Sequence, residues 1–338
     1  MASQRIPKAI QLVDTRLLIE EAGAFDAGYL GFVARMQAQA GLPYRDLGPD
    51  VHVYQRKNGR FVFRVVSHAG IPFGTLPRVL LAYASTEAVR TKSPYIELGK
   101  NVSTFLRKKL GMKVTGGEKG NIPRLKLQAY RLFSSQISLT KEYSTGTEGR
   151  LNERYMNISE GQDLSWWAPN AGTEETVWES QIKLSPQFFE EVTNSPVPVD
   201  WRAVSVLKSS PMALDLYFWL TYRMKYLKDS TSVPWFGENG LQSQFGSDAD
   251  DDHKGRYGFK VNMEKALKQV LAVYSEARVV STPKGLLLKP SPTHIVAMNN
   301  VPSETNSAGT APVKPTPSQY AEQLNSQISE LAAQRRLA

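Results

Sequence analysis

Basic and amide side chains recur along one side of a predicted helix between Asn121 and Gln136. Its polar side carries side chains at spacings of four, three and four residues, namely Arg124, Gln128, Arg131 and Ser135. At 100° per residue the opposite side is apolar and consists of Ile122, Leu125, Ala129, Leu132 and Phe133. Arginine can hydrogen-bond guanine in a bidentate way, and glutamine can do the same with adenine. The pattern favours a helix that contacts base edges in the major groove of DNA.

The surroundings of this helix hold almost no negative charge. Between Lys100 and Arg131 the sequence has nine lysines and arginines, among them Lys119 just ahead of the helix, and Glu118 as the single acid. An ordinary amphipathic helix with a solvated polar face is the alternative interpretation. The local lack of acids favours contact with DNA over that alternative.

A second predicted helix, residues 258–274, has the same two-sided character. Its apolar stripe consists of Phe259, Met263, Ala266, Leu267, Val270 and Tyr274. The basic and amide candidates for DNA contact along it are Lys260, Asn262, Lys265, Lys268 and Gln269. Lys254 and Arg256 precede the predicted helix, where a phosphate can approach its N-terminus. Lys284 lies at the tip of a predicted hairpin and is a candidate phosphate contact.

Other chemistries find little support in the sequence. The segment 115–121 lacks the order of a phosphate-binding loop and predicts a glycine turn. The segment 247–253 groups four aspartates and a histidine without an EF-hand order, which favours an acidic, solvated loop over a metal site. None of the four histidines forms a metal-ligand pair or a catalytic grouping with neighbours. We therefore expect no catalysis, no metal and no cofactor.

The composition limits the class of protein. The chain has 338 residues, a net charge of +9 and no cysteine, which excludes disulfide scaffolds and thiol catalysis. The positive charge suits a polyanionic partner, either nucleic acid or an acidic membrane surface. No apolar run is long enough to span a membrane, and no signal-peptide core follows the N-terminus. We expect a soluble, cytoplasmic protein without a membrane partner.

The elements that position these candidates occur in a repeated order. Helix, short helix, long helix and hairpin follow one another in residues 70–185 and again in residues 186–296. The first hairpin is predicted to pair residues 137–139 with residues 175–184 around a polar tip over 143–170, and the second spans residues 278–289. This order is typical of the winged helix-turn-helix. The expected fold is α+β, with two tandem winged helix-turn-helix domains.

The remaining segments complete the predicted organisation. Residues 1–69 are an N-terminal leader region with a helix and two strands, and the proline-containing segment 194–200 is a stiff connection between domains. Residues 297–338 are predicted to be a linker and a flexible C-terminal tail ending in a weak amphipathic helix. Trp166, Trp167, Trp178 and Trp201 are expected to pack in the core or in a hairpin.

Short motifs in a shared order resemble the RepA-type plasmid replication initiators. The motifs of the first part are YLGFVARM (29–36), GLPYR (41–45), GIPFGTLPR (70–78), EAVRTKS (87–93), IELG (96–99), FLRKKLGM (105–112) and TGGEKG (115–120). The resemblance continues from Leu125 through Arg131 to Ile137-Ser-Leu, and then in LSPQFFEEV (184–192) and ALDLYFWL (213–220). It covers about residues 25–290.

The resemblance implies a protein that binds repeated sites, or iterons, in double-stranded plasmid origin DNA. It also implies that the protein helps to recruit the host initiator and the replicative helicase, and that it can form a homodimer that represses its own gene. No catalytic residues transfer from the family. A dedicated winged-helix transcriptional repressor is the nearest alternative, and a DNA nickase or recombinase is a more distant one.

Overall fold

The structure is a computed structural model and describes residues 7–59, 61–99, 101–145, 148–163, 180–246 and 252–295. The helices are α1 (Lys8–Glu21), α2 (Arg35–Gln39), α3 (Thr75–Thr91), α4 (Val102–Thr104, continued by a π-helical turn over Phe105–Lys109), α5 (Asn121–Phe133), α6 (Pro186–Asn194), α7 (Trp201–Leu207), α8 (Pro211–Tyr226), α9 (Leu241–Phe245) and α10 (His253–Leu271). Within the described ranges, no helix is long and apolar enough to cross a membrane.

In the described part of the chain, the strands form four antiparallel sheets. They are β1 (Leu30–Val33), β2 (Val53–Asn58), β3 (Phe61–Val66), β4 (Tyr95–Gly99), β5 (Gln136–Thr145), β6 (Glu148–Asn157), β7 (Ser159–Asp163), β8 (Ser180–Leu184), β9 (Val197–Asp200), β10 (Thr231–Pro234), β11 (Val279–Ser281) and β12 (Gly285–Leu288). The sheet orders are β1-β9, β2-β3-β5-β6, β4-β8-β7 and β10-β12-β11. This mixture of helices and antiparallel sheets confirms the α+β class.

Two parts of the chain share one topology. The first unit contains α3, β4, α4, α5, β7 and β8, and the second unit contains α8, β10, α9, α10, β11 and β12. In the first unit β4 is an edge strand and pairs with β8, which also pairs with β7. In the second unit β10 is an edge strand and pairs with β12, which also pairs with β11. The first unit differs because the hairpin β5–β6 is inserted between α5 and β7. The tandem winged-helix assignment stays a prediction, and this common topology supports it.

The predicted hairpin of the first half is wrong. Residues 137–139 lie in β5, which pairs with β3 and β6, whereas β8 pairs with β4 and β7. The polar stretch 143–170, expected as a hairpin tip, contains β6 and β7, while residues 164–179 lie outside the described residues. Few apolar residues alternate in β6, so its sequence has the composition of a loop. Alternation within a strand also carries no information on which strand is its partner.

The expected stiff connection at residues 194–200 is also wrong in part, because residues 197–200 form β9. This strand pairs with β1 of the N-terminal region, and Phe32 faces Pro198 in the register. A proline is tolerated here because each strand of a two-stranded sheet is an edge. The N-terminal region is thereby joined to the rest of the chain, as it is again where β3 pairs with β5.

Local sequence explains where the main helices begin. The Ser185 and Ser210 hydroxyls accept hydrogen bonds from the Phe188 and Ala213 N–H groups, and a proline follows each serine. Asp252 caps α10 by accepting from the Gly255 N–H at 2.7 Å. Helix α10 therefore begins five residues before the predicted start at residue 258.

The buried apolar residues of both units form one continuous core. Helix α3 of the first unit contacts α8 of the second unit, and α2 of the N-terminal region also packs on α8. Because one core spans both units, they are not separated by a flexible linker within the described residues. The predicted tail, residues 297–338, lies outside those residues.

Candidate nucleic-acid interface

Helix α10 presents its basic residues on the side opposite the core. Phe259, Met263, Ala266, Leu267 and Val270 are buried as the sequence predicts, and this side of the helix packs on α8. The exposed candidates are Lys254, Arg256, Asn262, Lys265 and Lys268, and the half-buried ones are Lys260 and Gln269. No carboxylate of the described chain is recorded in a salt bridge with a lysine of α10. The outward side can therefore contact a polyanion.

Arg256 and Lys260 lie on the flank of α10. The Arg256 guanidinium is 5.4 Å from the centre of the Phe236 ring, and the Lys260 ammonium is 5.5 Å from that of Trp235. Both are cation–π contacts with the segment that follows β10. Lys254 and Arg256 also lie within the first turns of α10, because the helix starts at His253. The prediction that they precede the helix is corrected accordingly.

The turn between β11 and β12 holds Lys284 in the solvent. Its neighbours are fixed, since the Thr282 N–H donates to the Gly285 carbonyl and the Trp235 N–H donates to the Lys284 carbonyl, at 2.8 and 3.1 Å. The indole of Trp235 is buried and donates to the Thr282 carbonyl at 2.8 Å. The Lys284 side chain itself is exposed. The turn thus presents one exposed cation on a backbone that is hydrogen-bonded on both sides.

Helix α5 does not have the polar face that its sequence predicts. Arg124 is exposed, and Lys119 ahead of the helix is exposed as well, but Gln128, Arg131 and Ser135 are buried. The Gln128 Oε1 atom accepts from the Phe73 N–H at 2.8 Å, and the Ser135 hydroxyl donates to the Arg131 carbonyl at 2.7 Å. These two polar side chains therefore satisfy backbone groups of the protein, and their expected place on a DNA-facing surface is wrong.

Arg131 is held by Asp46, which lies between α2 and β2, and by the segment directly ahead of α3. Its Nη1 atom donates to Asp46 at 3.1 Å and to the Ile71 carbonyl at 3.3 Å, and its guanidinium lies 5.5 Å from the centre of the Phe73 ring. Gly70 has a φ of +87°, and a Cβ atom there would come within 3.1 Å of Arg131 Nε. A distant segment thus covers the face that the helical periodicity left open. The expected solvent-facing position of Arg131 is also wrong.

The glycine-containing segment before α5 is a turn, as predicted. Gly117 has a φ of +76°, and a Cβ atom on Gly120 would lie 2.3 Å from the Thr115 carbonyl oxygen. The Asn121 N–H donates to the Thr115 hydroxyl at 2.8 Å, and the Ile122 N–H donates to the Thr115 carbonyl at 3.2 Å. Protein groups therefore already occupy the first donors of α5 that a phosphate cradle would need.

The acidic segment shows one structural role. Asp252 is the N-cap of α10, whereas residues 247–251 lie outside the described residues. Among the residues that are described, no group of three or more His, Asp or Glu could hold a metal ion. Trp201 is buried, as predicted, and Trp166, Trp167 and Trp178 fall outside the described ranges.

A buried ion pair that the sequence analysis did not single out connects the two units. Arg78 of α3 donates from Nε and Nη2 to the two carboxylate oxygens of Asp215 in α8, at 2.7 Å each, and both residues are almost fully buried. Arg78 also donates to the Gly74 carbonyl at 2.6 Å. Burial raises the pKa of the Asp215 carboxyl, and the pairing with Arg78 opposes that shift.

The sequence does contain a signal for this pair. Arg78 and Asp215 are charged residues inside strongly apolar helices, and charged residues at such positions require a partner when they are buried. Gly41 is part of the same arrangement, because a Cβ atom there would lie 2.2 Å from Asp215 Oδ2. A search for charged residues in apolar helices would have found both partners.

Comparison with known proteins found a similarity to one plasmid protein family. Residues 71–235 match the family model described as plasmid encoded RepA protein. Over this span, which is just under half of the chain, the sequence is similar to the RepA family. The match confirms the resemblance inferred from the motifs. It begins ahead of α3, includes the first unit and α8, and ends just after β10, so α10 and the β11–β12 turn lie beyond the family match.

The other comparisons add little to the RepA match. No curated protein sequence matches the chain significantly. The structural comparison found domains 2 and 3 of RctB, with 10% sequence identity and a TM-score of 0.46 over 76% of this chain and 96% of that chain. A likeness of this strength supports no argument on fold or function.

Proposed function

We propose that this chain is a non-enzymatic, sequence-specific double-stranded DNA-binding protein that initiates plasmid replication. The family match supports a plasmid function. The observation that carries DNA binding is the outward side of α10, where Lys254, Lys265 and Lys268 are exposed opposite the core. An exposed basic helix followed by a two-stranded turn suits the major groove and the adjacent phosphates.

In this mechanism both units are winged helices. Helix α10 enters a major groove, with Asn262, Lys265 and Lys268 toward base edges, while Lys284 at the β11–β12 turn contacts a phosphate. In the first unit, Arg124 and Lys119 supply phosphate contacts at the N-terminal end of α5. The common topology of the two units and the exposed position of these cations support this assignment.

The initiator role requires several such contacts in the plasmid origin. We propose that the chain binds direct repeats there, strains the duplex through the summed contacts, and brings in the host initiator and the replicative helicase. A homodimer on an inverted pair of sites near its own gene would give autorepression. A dedicated repressor would use the same contacts, but it would prefer the inverted pair over an array of direct repeats.

The test is a gel-shift series on the plasmid region that flanks this chain's gene. We expect tight binding to an array of direct repeats and a strong dependence on salt. If six to ten phosphates are contacted, affinity should fall by roughly 10³–10⁵-fold between about 50 and 200 mM salt. Binding that is independent of salt would contradict the proposal, and preference for an inverted pair alone would favour the repressor.

Substitutions locate the interface in the same assay. Lys265→Ala and Lys268→Ala should weaken binding, whereas Lys225→Ala should not. Lys225 is a matched control because it is an exposed lysine on α8, the helix that packs on the buried side of α10. Incubation of supercoiled plasmid with the protein and Mg²⁺ should leave the plasmid intact, and nicked product would indicate a nickase.

A further inference from the structure

Two large apolar side chains stand exposed in the middle of the basic side of α10. Tyr257 is 67% exposed and Val261 is 44% exposed, and they lie one helical turn apart. Lys254 precedes them by one turn, and Lys265 and Lys268 follow at spacings of four and three residues. At 100° per residue these positions share one stripe, opposite the buried Phe259, Met263 and Val270. The stripe is therefore apolar at its centre and cationic at both ends.

The composition of this stripe indicates what covers it. Exposed apolar side chains that are grouped on one helix face often mark a binding surface, whereas isolated exposed apolar side chains usually do not. The lysines at both ends favour a polyanionic occupant over an apolar protein surface. Within the major groove of DNA, the thymine C5-methyl is the group that an apolar side chain can contact. Double-stranded DNA is the partner that offers both phosphates and such a methyl group.

We propose that Tyr257 and Val261 each contact a thymine methyl group in the major groove and thereby select A·T pairs at two positions of the site. This inference rests on the proposed function. Four residues of helix advance by ~6 Å, and base pairs are separated by ~3.4 Å along the duplex. The two selected pairs should therefore lie about two base pairs apart. Lys265 and Lys268 extend the contact along the same groove.

The experiment removes only the methyl group from the DNA. A binding site is first selected by the full-length protein from a randomised duplex library, and each thymine in it is then replaced by deoxyuridine, one position at a time. We expect weaker binding at two positions about two base pairs apart. The loss should be about fourfold at each, corresponding to ~0.8 kcal/mol for one buried methyl group.

Variants assign each methyl group to a side chain. Val261→Ala should abolish the thymine-over-deoxyuridine preference at one position, and Tyr257→Ala should abolish it at the other. Both side chains are exposed, so neither change removes core packing, and circular dichroism checks that the fold is kept. Val13→Ala is the matched control, because Val13 is a 48% exposed valine on α1. It should leave both preferences intact.

The outcomes separate this inference from the proposed function. If the protein binds the selected duplex with a steep salt dependence but tolerates deoxyuridine everywhere, the methyl contacts are wrong and the DNA-binding function stands. The inference would also be overturned if each variant lost the same factor of affinity, relative to the wild type, for the thymine duplex and for the deoxyuridine duplex. Recovery of no binding site from the library would overturn the DNA-binding function itself.

Discussion

At the residue scale, the basic side chains fall into two groups that differ in what surrounds them. Lys265 and Lys268 are exposed, and no salt bridge is recorded for either of them in the described part of the chain. Arg131 is buried and bonded to Asp46 and to the Ile71 carbonyl. The first group should therefore act on DNA affinity, and Arg131 should act on stability.

The structural role of the buried polar side chains on α5 can be tested with Arg131→Ala and Gln128→Ala. Arg131→Ala leaves the buried Ile71 carbonyl without this hydrogen bond, and Gln128→Ala does the same to the half-buried Phe73 N–H. Such a loss typically costs ~1–3 kcal/mol. We expect the free energy of unfolding in urea to fall by about that amount, while the salt dependence of DNA binding at low temperature is unchanged. A lower salt slope with unchanged stability would instead restore Arg131 as a phosphate contact.

At the level of the structural elements, the β11–β12 turn and α10 should differ in whether their contacts with DNA depend on the base sequence. Trp235 holds the turn through the Thr282 carbonyl, and Lys284 projects from it without a recorded ion pair among the described residues. A phosphate contact carries no sequence information, whereas a contact with a base edge does.

Lys284→Ala should therefore weaken binding to all sequences alike and lower the log–log salt slope by about one. Lys268→Ala should cost ~1–3 kcal/mol on the selected site and relax the preference at one position, if Lys268 contacts a base. Competition assays with specific and random duplexes measure both effects. A sequence-specific loss in Lys284→Ala would contradict the assignment of the turn to the backbone.

A buried lysine joins the end of the π-helical turn to α7 and makes stability depend on pH. The Lys208 ammonium donates to the Leu110 carbonyl at 3.1 Å and also to the Gly111 carbonyl. Burial, together with a smaller effect of the nearby Lys8 charge, lowers the pKa of Lys208 to about 8. The unfolded chain therefore binds more protons than the folded one between pH 8 and the ordinary lysine pKa of 10.5.

We expect the free energy of unfolding to rise as the pH increases from about 8 to 10, by at most about 1.4 kcal/mol per pH unit for this lysine. Below pH 8 both states are protonated and the slope vanishes. Above pH 10 the raised pKa values of the buried Tyr83 and Tyr217 give the opposite slope. Urea titrations of the wild type and of Lys208→Met measure this; an equal rise in both would contradict the role of Lys208.

At the scale of the whole molecule, the two units are joined by a shared core and by the Arg78–Asp215 pair. Removing one partner of a buried ion pair leaves the other charge without compensation. Asp215→Asn should therefore lower the free energy of unfolding by ~3–5 kcal/mol. Glu20→Gln, in the exposed pair between Arg16 and Glu20, is the control and should leave stability unchanged. A similar loss in both variants would show that burial of the Arg78 pair is not the cause.

The shared core also predicts how the two units bind DNA together. Since the units are held in a fixed relation, their sub-sites should lie about one helical turn apart, roughly 10–10.5 bp. Inserting half a turn between the sub-sites should weaken binding far more than inserting a full turn. Footprinting on the two insertions measures this, and equal protection of both would show that a single unit binds at a time.

Most of the helices, the α+β class and the resemblance to the RepA family could be predicted from the sequence alone. Periodic apolar residues placed α3, α5, α8 and α10, because the core side of a helix repeats every three to four residues. The outward basic side of α10 was likewise predictable, since α10 packs on the core along one side. Its part in DNA binding stays a prediction.

Strand pairing and the covering of polar helix faces could not be predicted from the sequence and follow from the tertiary contacts. Residues 137–139 pair with β3 rather than with β8, and the segment ahead of α3 covers Gln128 and Arg131 on α5. Both facts depend on contacts between segments far apart in the chain, which local periodicity cannot encode. The Arg78–Asp215 pair has the same origin, because a buried charge is stable only where the fold supplies its partner.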